Sequence, residues 1–279
     1  MAIRIIVDST ADMLPRLKER VYIVPLNVFF GEERFIDGVT IDNETFYKKL
    51  EESKALPTTS LASPGAFAEE YEKAKEAGDT AIVIAVASKL SGTYQSAVIA
   101  SEGYEDVFVI DSGNVAIASG ILVEVALEMV DAGKSAKEIV ETLEEIKGKV
   151  TLVALVDTLE YLQRGGRVSK AMAVAGSILN IKPLLLLENG AIDKLGMARG
   201  AKMGNRMLCE EIENMGGIDF SKPILYGYTG TSDEAVNKYI EYCKKNWEDM
   251  PDGAGYTSVG SVIGTHAGPG AIAVAFFKK

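Results

Sequence analysis

The chain has 279 residues, 47% hydrophobic and 25% charged, a globular composition that suggests one large domain or two smaller ones and excludes disordered and collagen-like chains. Its 40 acidic residues against 29 basic ones give a net charge of −11, which opposes an extended nucleic-acid interface and favours a small ligand. No apolar run reaches the roughly 20 residues needed to cross a bilayer. Arg4 and Asp8 lie where a secretory signal peptide would have its apolar run, so we predict a cytoplasmic protein.

The first half of the sequence predicts parallel strands joined by helices. The β-branched run at residues 3–7 ends in Asp-Ser-Thr and leads into a helical pattern. The run at 81–87 passes through residues 88–93 into a helix that begins near Tyr94, and the run at 107–110 also leads into a helix. This alternation is typical of a parallel α/β sheet.

A hydroxyl-rich segment lies between the first two of these units. Ser63 is a candidate N-cap, and Pro64 fits the first turn of the helix that follows it. Thr59 and Ser60 precede this cap, so we predict them in a loop.

The hydrophobic pattern changes after a charged amphipathic helix at residues 134–149. We therefore predict an α/β domain at residues 1–148 and an α+β domain with a mixed or antiparallel sheet at 149–279. Asn189-Gly190 separates two apolar runs, the strongest short signal for a hairpin, so the second sheet should contain antiparallel pairs. Other strands predicted here are at 150–156, 184–187, 192–197, 224–228, 257–263 and 271–277. We also predict a short helix from about Thr158 that ends at Gly165-Gly166, and a second helix that runs to about Leu179.

The loops at the carboxyl ends of the parallel strands are the expected place for a ligand. Ser91 offers a hydroxyl beside the backbone N–H groups of a starting helix, and Gly92 allows a ligand to approach that backbone closely. An anionic head group is the natural occupant, although a serine in this position also serves as a simple helix cap.

The single histidine, His266, lies in a glycine-rich segment at residues 264–270, which we predict as a loop between two strands. One histidine without suitably spaced carboxylates or thiols does not predict a metal site. Cys209 and Cys243 stand 34 positions apart without a CxxC pair, which favours two reduced structural thiols.

Common catalytic templates are absent from the sequence: there is no GxSxG around Ser91 and no GxxxxGK[ST] phosphate loop.

The charge is unevenly distributed along the sequence. Residues 161–206 carry eight basic and two acidic side chains, a net charge of +6, whereas the rest of the chain carries −17. Within this basic stretch, Arg164 and Arg167 flank a glycine pair. An acidic or phosphorylated partner could dock there, or the stretch is a set of solvated helix faces.

Seven segments of the sequence, in order, resemble the DegV family of bacterial fatty-acid-binding proteins. They span almost the whole chain, and their joint occurrence at compatible spacing makes the resemblance specific. One departure follows Thr59 and Ser60, where the family usually has Gln-Pro and this chain has Leu61-Ala62. The segments are residues 7–12 (VDSTAD), 59–64 (TSLASP), 90–97 (LSGTYQSA), 110–112 (IDS), 159–167 (LEYLQRGGR), 181–183 (IKP) and 264–270 (GTHAGPG).

The resemblance implies two domains that hold one fatty acid between them, with no cofactor, no metal and no catalytic residue. The hydroxyls of Thr59 and Ser91 would contact the carboxylate, and Gly92 would donate a backbone N–H. Ser60 and His266 complete this predicted carboxylate site. The expected head-group donors are uncharged, because hydroxyl and backbone groups hold a carboxylate without a buried lysine.

The same resemblance implies a partner. Characterised relatives present the fatty acid to a separate ATP-dependent fatty-acid kinase and carry the acyl phosphate away. Arg167 matches an arginine tied to that step, and the basic stretch at residues 161–206 would then be a docking surface.

Two other functions remain open at this point. Ser91 and His266 would serve as nucleophile and base of an acyl-ester hydrolase if Asp8 or Asp111 oriented the imidazole. A nucleotide-binding module would rest on the parallel sheet and its helix N-termini alone.

Overall fold

A computed structural model describes residues 2–53, 55–173 and 180–279, which form three β-sheets and the helices around them. The strands are β1 (Ile3–Asp8), β2 (Tyr22–Val24), β3 (Asn27–Phe30), β4 (Glu33–Ile36), β5 (Thr58–Ser60), β6 (Thr80–Ala85), β7 (Val107–Asp111), β8 (Val150–Leu155), β9 (Ile181–Glu188), β10 (Ala191–Arg199), β11 (Leu225–Tyr228), β12 (Gly255–Ser258) and β13 (Ile272–Phe277). The helices are α1 (Pro15–Lys18), α2 (Asn43–Glu52), α3 (Pro64–Ala77), α4 (Thr93–Ala100), α5 (Ala116–Asp131), α6 (Ala136–Ile146), α7 (Glu160–Arg164), α8 (Lys170–Ala173), α9 (Gly200–Asn214), α10 (Glu234–Asn246) and α11 (Ser261–Ala267), with a 3-10 turn at Lys147–Lys149.

The amino-terminal sheet is parallel throughout, in the order β2-β1-β6-β7, as the alternating pattern predicted. Successive residues of a strand point to opposite faces, so Ile5 and Val7 of β1 pack with α5 whereas Ile6 packs with α3. Both faces are therefore covered, which explains why the strands are continuous apolar runs. The predicted cap is confirmed, since the Ser63 side chain accepts a hydrogen bond from the Ala66 N–H at the start of α3.

The carboxy-terminal sheet is mixed, in the order β10-β9-β8-β13-β11-β12, and only its β11–β12 pair is parallel. The predicted hairpin joins β9 to β10, with Asn189 at φ 51° and Gly190 at φ 71°. Positive φ at both central residues is what a tight type I′ turn requires. Helices α9 and α10 cover one face of this sheet.

Helix α5 lies between the two large sheets. It contacts β1 and β6 on one side and β8, β11 and β13 on the other. A helix between two sheets needs apolar residues on opposite faces, and ten residues of α5 from Ala116 to Leu127 are buried. At Gly120 the neighbouring chain comes so close that an added Cβ would lie 1.9 Å from the Asp12 carbonyl oxygen. Division of the chain into domains after residue 148 stays a prediction.

A third, antiparallel sheet, β4-β3-β5, was not predicted. The prediction of Thr59 and Ser60 in a loop was wrong, because both belong to β5, opposite Val28 and Asn27 of β3. A strand of three residues has no period to detect in the sequence, and its pairing with β3 defines it.

The prediction of a loop at residues 264–270, preceded by a strand at 257–263, was also wrong. Strand β12 ends at Ser258, and helix α11 carries His266 in its last turn. Gly264 is a packing residue, since a Cβ there would lie 2.5 Å from the Tyr47 hydroxyl oxygen.

The helix that we predicted to run to about Leu179 corresponds to α8, which the structure describes up to Ala173; residues 174–179 lie outside the described residues. In the part of the chain that the structure describes, no helix has the length and apolar character to span a bilayer.

Candidate functional site

A cavity of about 350 Å³ lies between the carboxyl ends of β1 and β6, strand β5 and helix α11. This volume is in the range of small-molecule sites. The structure brings to this one cavity all six residues that the sequence and the family resemblance singled out: Thr59, Ser60, Ser91, Gly92, Arg167 and His266.

Thr59 and His266 form a pair at the cavity wall. The Thr59 Oγ1 atom lies 2.9 Å from the Nε2 atom of His266. Burial, reinforced by the nearby positive charge of Arg167, lowers the pKa of His266 to about 4. His266 is therefore neutral near pH 7. If Nε2 carries its proton, the ring donates to Thr59, and the hydroxyl proton of Thr59 is free for a ligand.

Gly165 fixes the other side of the imidazole. A Cβ at this position would lie 2.2 Å from His266 Nδ1, so only glycine allows the end of α7 to approach the ring this closely. Nδ1 has no hydrogen-bond partner among the described residues. The ring is thus held by packing on one edge and by Thr59 on the other.

Ser91 and Gly92 lie at the start of helix α4, as predicted. The Ser91 Oγ atom accepts a hydrogen bond from the Thr93 N–H at 3.2 Å and lies 2.9 Å from the Thr93 hydroxyl oxygen. Thr93 is fully buried and its hydroxyl also accepts the Ala62 N–H, at 3.4 Å. Thr93 therefore connects the Ser91 loop to the segment that follows β5.

The wall of the cavity carries one charge that the expectation of uncharged head-group donors did not include. Arg167 lines the cavity and is partly buried, and its guanidinium donates to the backbone carbonyls of Gly165 at 2.5 Å and Leu90 at 3.2 Å. Burial lowers the pKa of Arg167 from its usual value. An arginine remains charged even so, and this side chain offers further N–H groups to an anion.

An apolar extension of about 100 Å³ adjoins this cavity. It lies between α5, α11 and the carboxy-terminal sheet, and its lining is almost entirely apolar, whereas the first cavity also carries the polar side chains described above. Five residues line both cavities: Val115, Leu162, Ile192, Ile263 and Ala267.

The geometry does not support the hydrolase alternative. His266 contacts Thr59 rather than Ser91, and Ser91 contacts Thr93. Among the described residues no carboxylate reaches His266, because Asp8 accepts hydrogen bonds from Thr10 and Val86, and Asp111 accepts them from the backbone N–H groups of Ser88 and Gly113. A nucleophile, base and orienting acid are therefore not assembled.

Sequence reasoning missed several residues of the site. Thr10 lines the cavity and was seen only as part of a strand end. The sequence indicated Thr93 only as part of a helix start, and Asn27, which contacts Ser60, carried no sequence signal at all.

No group of three or more residues that could hold a metal ion occurs in residues 2–53, 55–173 and 180–279.

Comparisons with known proteins agree over the whole chain. The DegV family model, described as an uncharacterised protein of the DegV family, matches residues 2–279. A DegV domain-containing protein from Caldanaerobacter subterraneus is 37% identical over 281 residues, which is 99% of each chain. The structure of a Thermus thermophilus DegV family protein, described for its fatty acid binding, has a TM-score of 0.88 at 31% identity and covers 100% of both chains. A stearic-acid-binding protein from Eubacterium ventriosum has a TM-score of 0.88 at 25% identity, covering 100% of this chain and 99% of that one.

Proposed function

This chain belongs to the DegV family, and we propose that it binds a long-chain fatty acid in the cavity, with the carboxylate at the polar side chains of the cavity and the acyl chain in the apolar extension. The observation that carries the proposal is that a cavity with polar side chains lies next to an apolar one and shares five apolar lining residues with it. A fatty acid has the same division into one charged end and one long apolar chain. Relatives described as fatty-acid-binding proteins share the fold.

Binding strength would come from the acyl chain. Burial of each CH₂ group stabilises by roughly 0.8 kcal/mol, so a chain of about 16 carbons contributes on the order of 10 kcal/mol before the cost of association is subtracted. Apolar residues from α5, α11 and the carboxy-terminal sheet supply the surface for this burial.

The carboxylate would be held mainly by neutral donors. We assign this role to the hydroxyls of Thr59, Ser60 and Ser91 and to the backbone N–H of Gly92. His266 would orient the Thr59 hydroxyl through its hydrogen bond with it. Hydrogen bonds from neutral donors to a carboxylate are charge-assisted and therefore stronger than those between neutral groups. They leave the carboxylate oxygens more reactive than a close pair of cations would.

We further propose that the protein is a carrier in the cytoplasm and not itself an enzyme. It would present the carboxylate to a separate ATP-dependent fatty-acid kinase, in which a carboxylate oxygen attacks the γ-phosphorus of ATP and ADP leaves. Arg167 lines the same cavity and would face the added phosphoryl charge, and the basic stretch at residues 161–206 would dock the kinase.

Extraction tests the binding proposal directly. Protein purified from bacteria is denatured, and the released lipid is identified and quantified by mass spectrometry. We expect close to one fatty acid per chain. Delipidated protein that takes up no fatty acid on titration would refute the proposal. Acyl-ester hydrolysis lost on Ser91→Ala substitution would instead restore the hydrolase alternative.

A further inference from the structure

Asn27 lies directly behind one of the proposed carboxylate donors. It is opposite Ser60 in the antiparallel pairing of β3 with β5, and its Nδ2 atom is 3.0 Å from Ser60 Oγ. On its other side, its Oδ1 atom is 2.9 Å from the Nε atom of Arg34 in β4. The three side chains form a row from solvent to the cavity, since Arg34 is exposed and Ser60 lines the cavity.

The chemistry of Arg34 settles the orientation of the Asn27 amide. Arginine has only N–H donors, so the Asn27 atom that faces it must be the carbonyl oxygen. The NH₂ group therefore faces Ser60 and donates to its hydroxyl oxygen. The proton of that hydroxyl has no acceptor among the described residues, and it remains available to a group in the cavity.

We infer that Asn27 is a positioning residue that turns the Ser60 hydroxyl into a donor toward the cavity and so favours an ionised carboxylate as the head group, an inference that rests on the proposed function. Ser91 differs from Ser60 in this respect, because its oxygen accepts the Thr93 N–H and also lies 2.9 Å from the Thr93 hydroxyl oxygen, and either of these two hydroxyls can donate to the other. A ligand head that only accepts hydrogen bonds satisfies a donor such as the Ser60 hydroxyl best, and a carboxylate is acceptor-only.

The Asn27→Asp substitution reverses this polarity with almost no change in shape. An aspartate at this position still pairs with Arg34, but it can only accept from Ser60, so the Ser60 proton turns away from the cavity. We expect the Kd of a C16 fatty acid to rise about tenfold or more, because a charge-assisted hydrogen bond is lost. The Kd of the C16 alcohol, which can donate as well as accept, should change about threefold or less.

A double-mutant cycle separates positioning from a structural or long-range charge effect. Kd values for acid and alcohol are measured for the unmodified protein, Asn27→Asp, Ser60→Ala and the double variant, and thermal unfolding confirms that each folds. We expect the Asn27→Asp loss to shrink severalfold when Ser60 is absent. An equal loss with and without Ser60, or equal losses for acid and alcohol, would overturn the inference and leave the proposed function intact. If the unmodified protein binds neither ligand, the proposed function fails, and this inference fails with it.

Discussion

Gly165 offers a way to disturb the carboxylate site without changing any residue that is proposed to touch the ligand. Its φ of −70° suits any residue, so alanine adds no backbone strain. The added Cβ would lie 2.2 Å from His266 Nδ1 and 2.8 Å from Cε1, which forces the imidazole or the end of α7 to move. We expect Gly165→Ala to displace the ring and break its contact with Thr59.

Two free energies follow from this geometry. Overpacking typically destabilises a fold by about 1–3 kcal/mol. The Thr59–His266 hydrogen bond orients the Thr59 hydroxyl, and its loss removes about 0.5–1.5 kcal/mol of stabilisation from that orientation. The same free energy corresponds to a rise in fatty-acid Kd of about two- to tenfold.

Gly166→Ala is the matched control. Gly166 has φ +73° and nothing within 4 Å of an added Cβ, so alanine there costs about 1–2 kcal/mol of backbone strain but does not touch His266. Titration calorimetry with a C16 fatty acid near pH 7 gives Kd, and urea unfolding gives stability. We expect both variants to lose stability and only Gly165→Ala to lose affinity. Equal affinity losses, or an unchanged Kd for Gly165→Ala, would refute this account of the Thr59–His266 pair.

Three further outcomes are expected. Ser91→Ala and Thr59→Val should raise the Kd of a fatty acid about tenfold or less each while lowering kinase-coupled acyl phosphate formation by a larger factor, because most affinity comes from the chain; equal factors in both assays would contradict this division. Arg167→Ala should leave the fatty acid bound in purified protein but reduce its phosphorylation by a cognate kinase, and normal phosphorylation would remove Arg167 from that step. Burial raises the pKa of Asp12 to about 8, so its folded-state pKa exceeds the unfolded value, and stability should fall as pH rises from about 4 to about 8. Asp12→Asn should flatten that fall in urea unfolding series by up to a few kcal/mol, and an unchanged slope would show that Asp12 does not cause it.

Elements with a strong local signal could be predicted from the sequence. The β-branched run of β1 and the Asn189-Gly190 turn depend on neighbours in the chain, and both were found where predicted. Ser91 and Gly92 were also found by local reasoning, because a helix start at the end of a strand is visible in the sequence itself.

Elements defined by distant contacts could not be predicted in this way. Thr59 was located through the family resemblance, and the short strand that holds it exists through its pairing with β3. His266 was placed in a loop because glycines surround it. The glycine at 264 serves packing against Tyr47, which is more than 200 positions away in the sequence. Asn27 and Ser60 are 33 positions apart, and only the strand register brings them together.

Two buried aspartic acids connect α11 to the amino-terminal half of the chain, since Asp12 follows β1 and Asp37 follows β4 of the third sheet. Asp12 accepts the Gly260 N–H at the N-cap of this helix at 2.8 Å, and Asp37 accepts the hydroxyl of Ser261, its first residue, at 2.5 Å. Burial raises the pKa of both acids, so holding them there costs stability near neutral pH. In return they fix one end of the helix whose other end carries His266. A shift of α11 would move His266 away from Thr59 and change the apolar wall of the cavity at the same time, so the polar and the apolar parts of the cavity depend on one anchored helix.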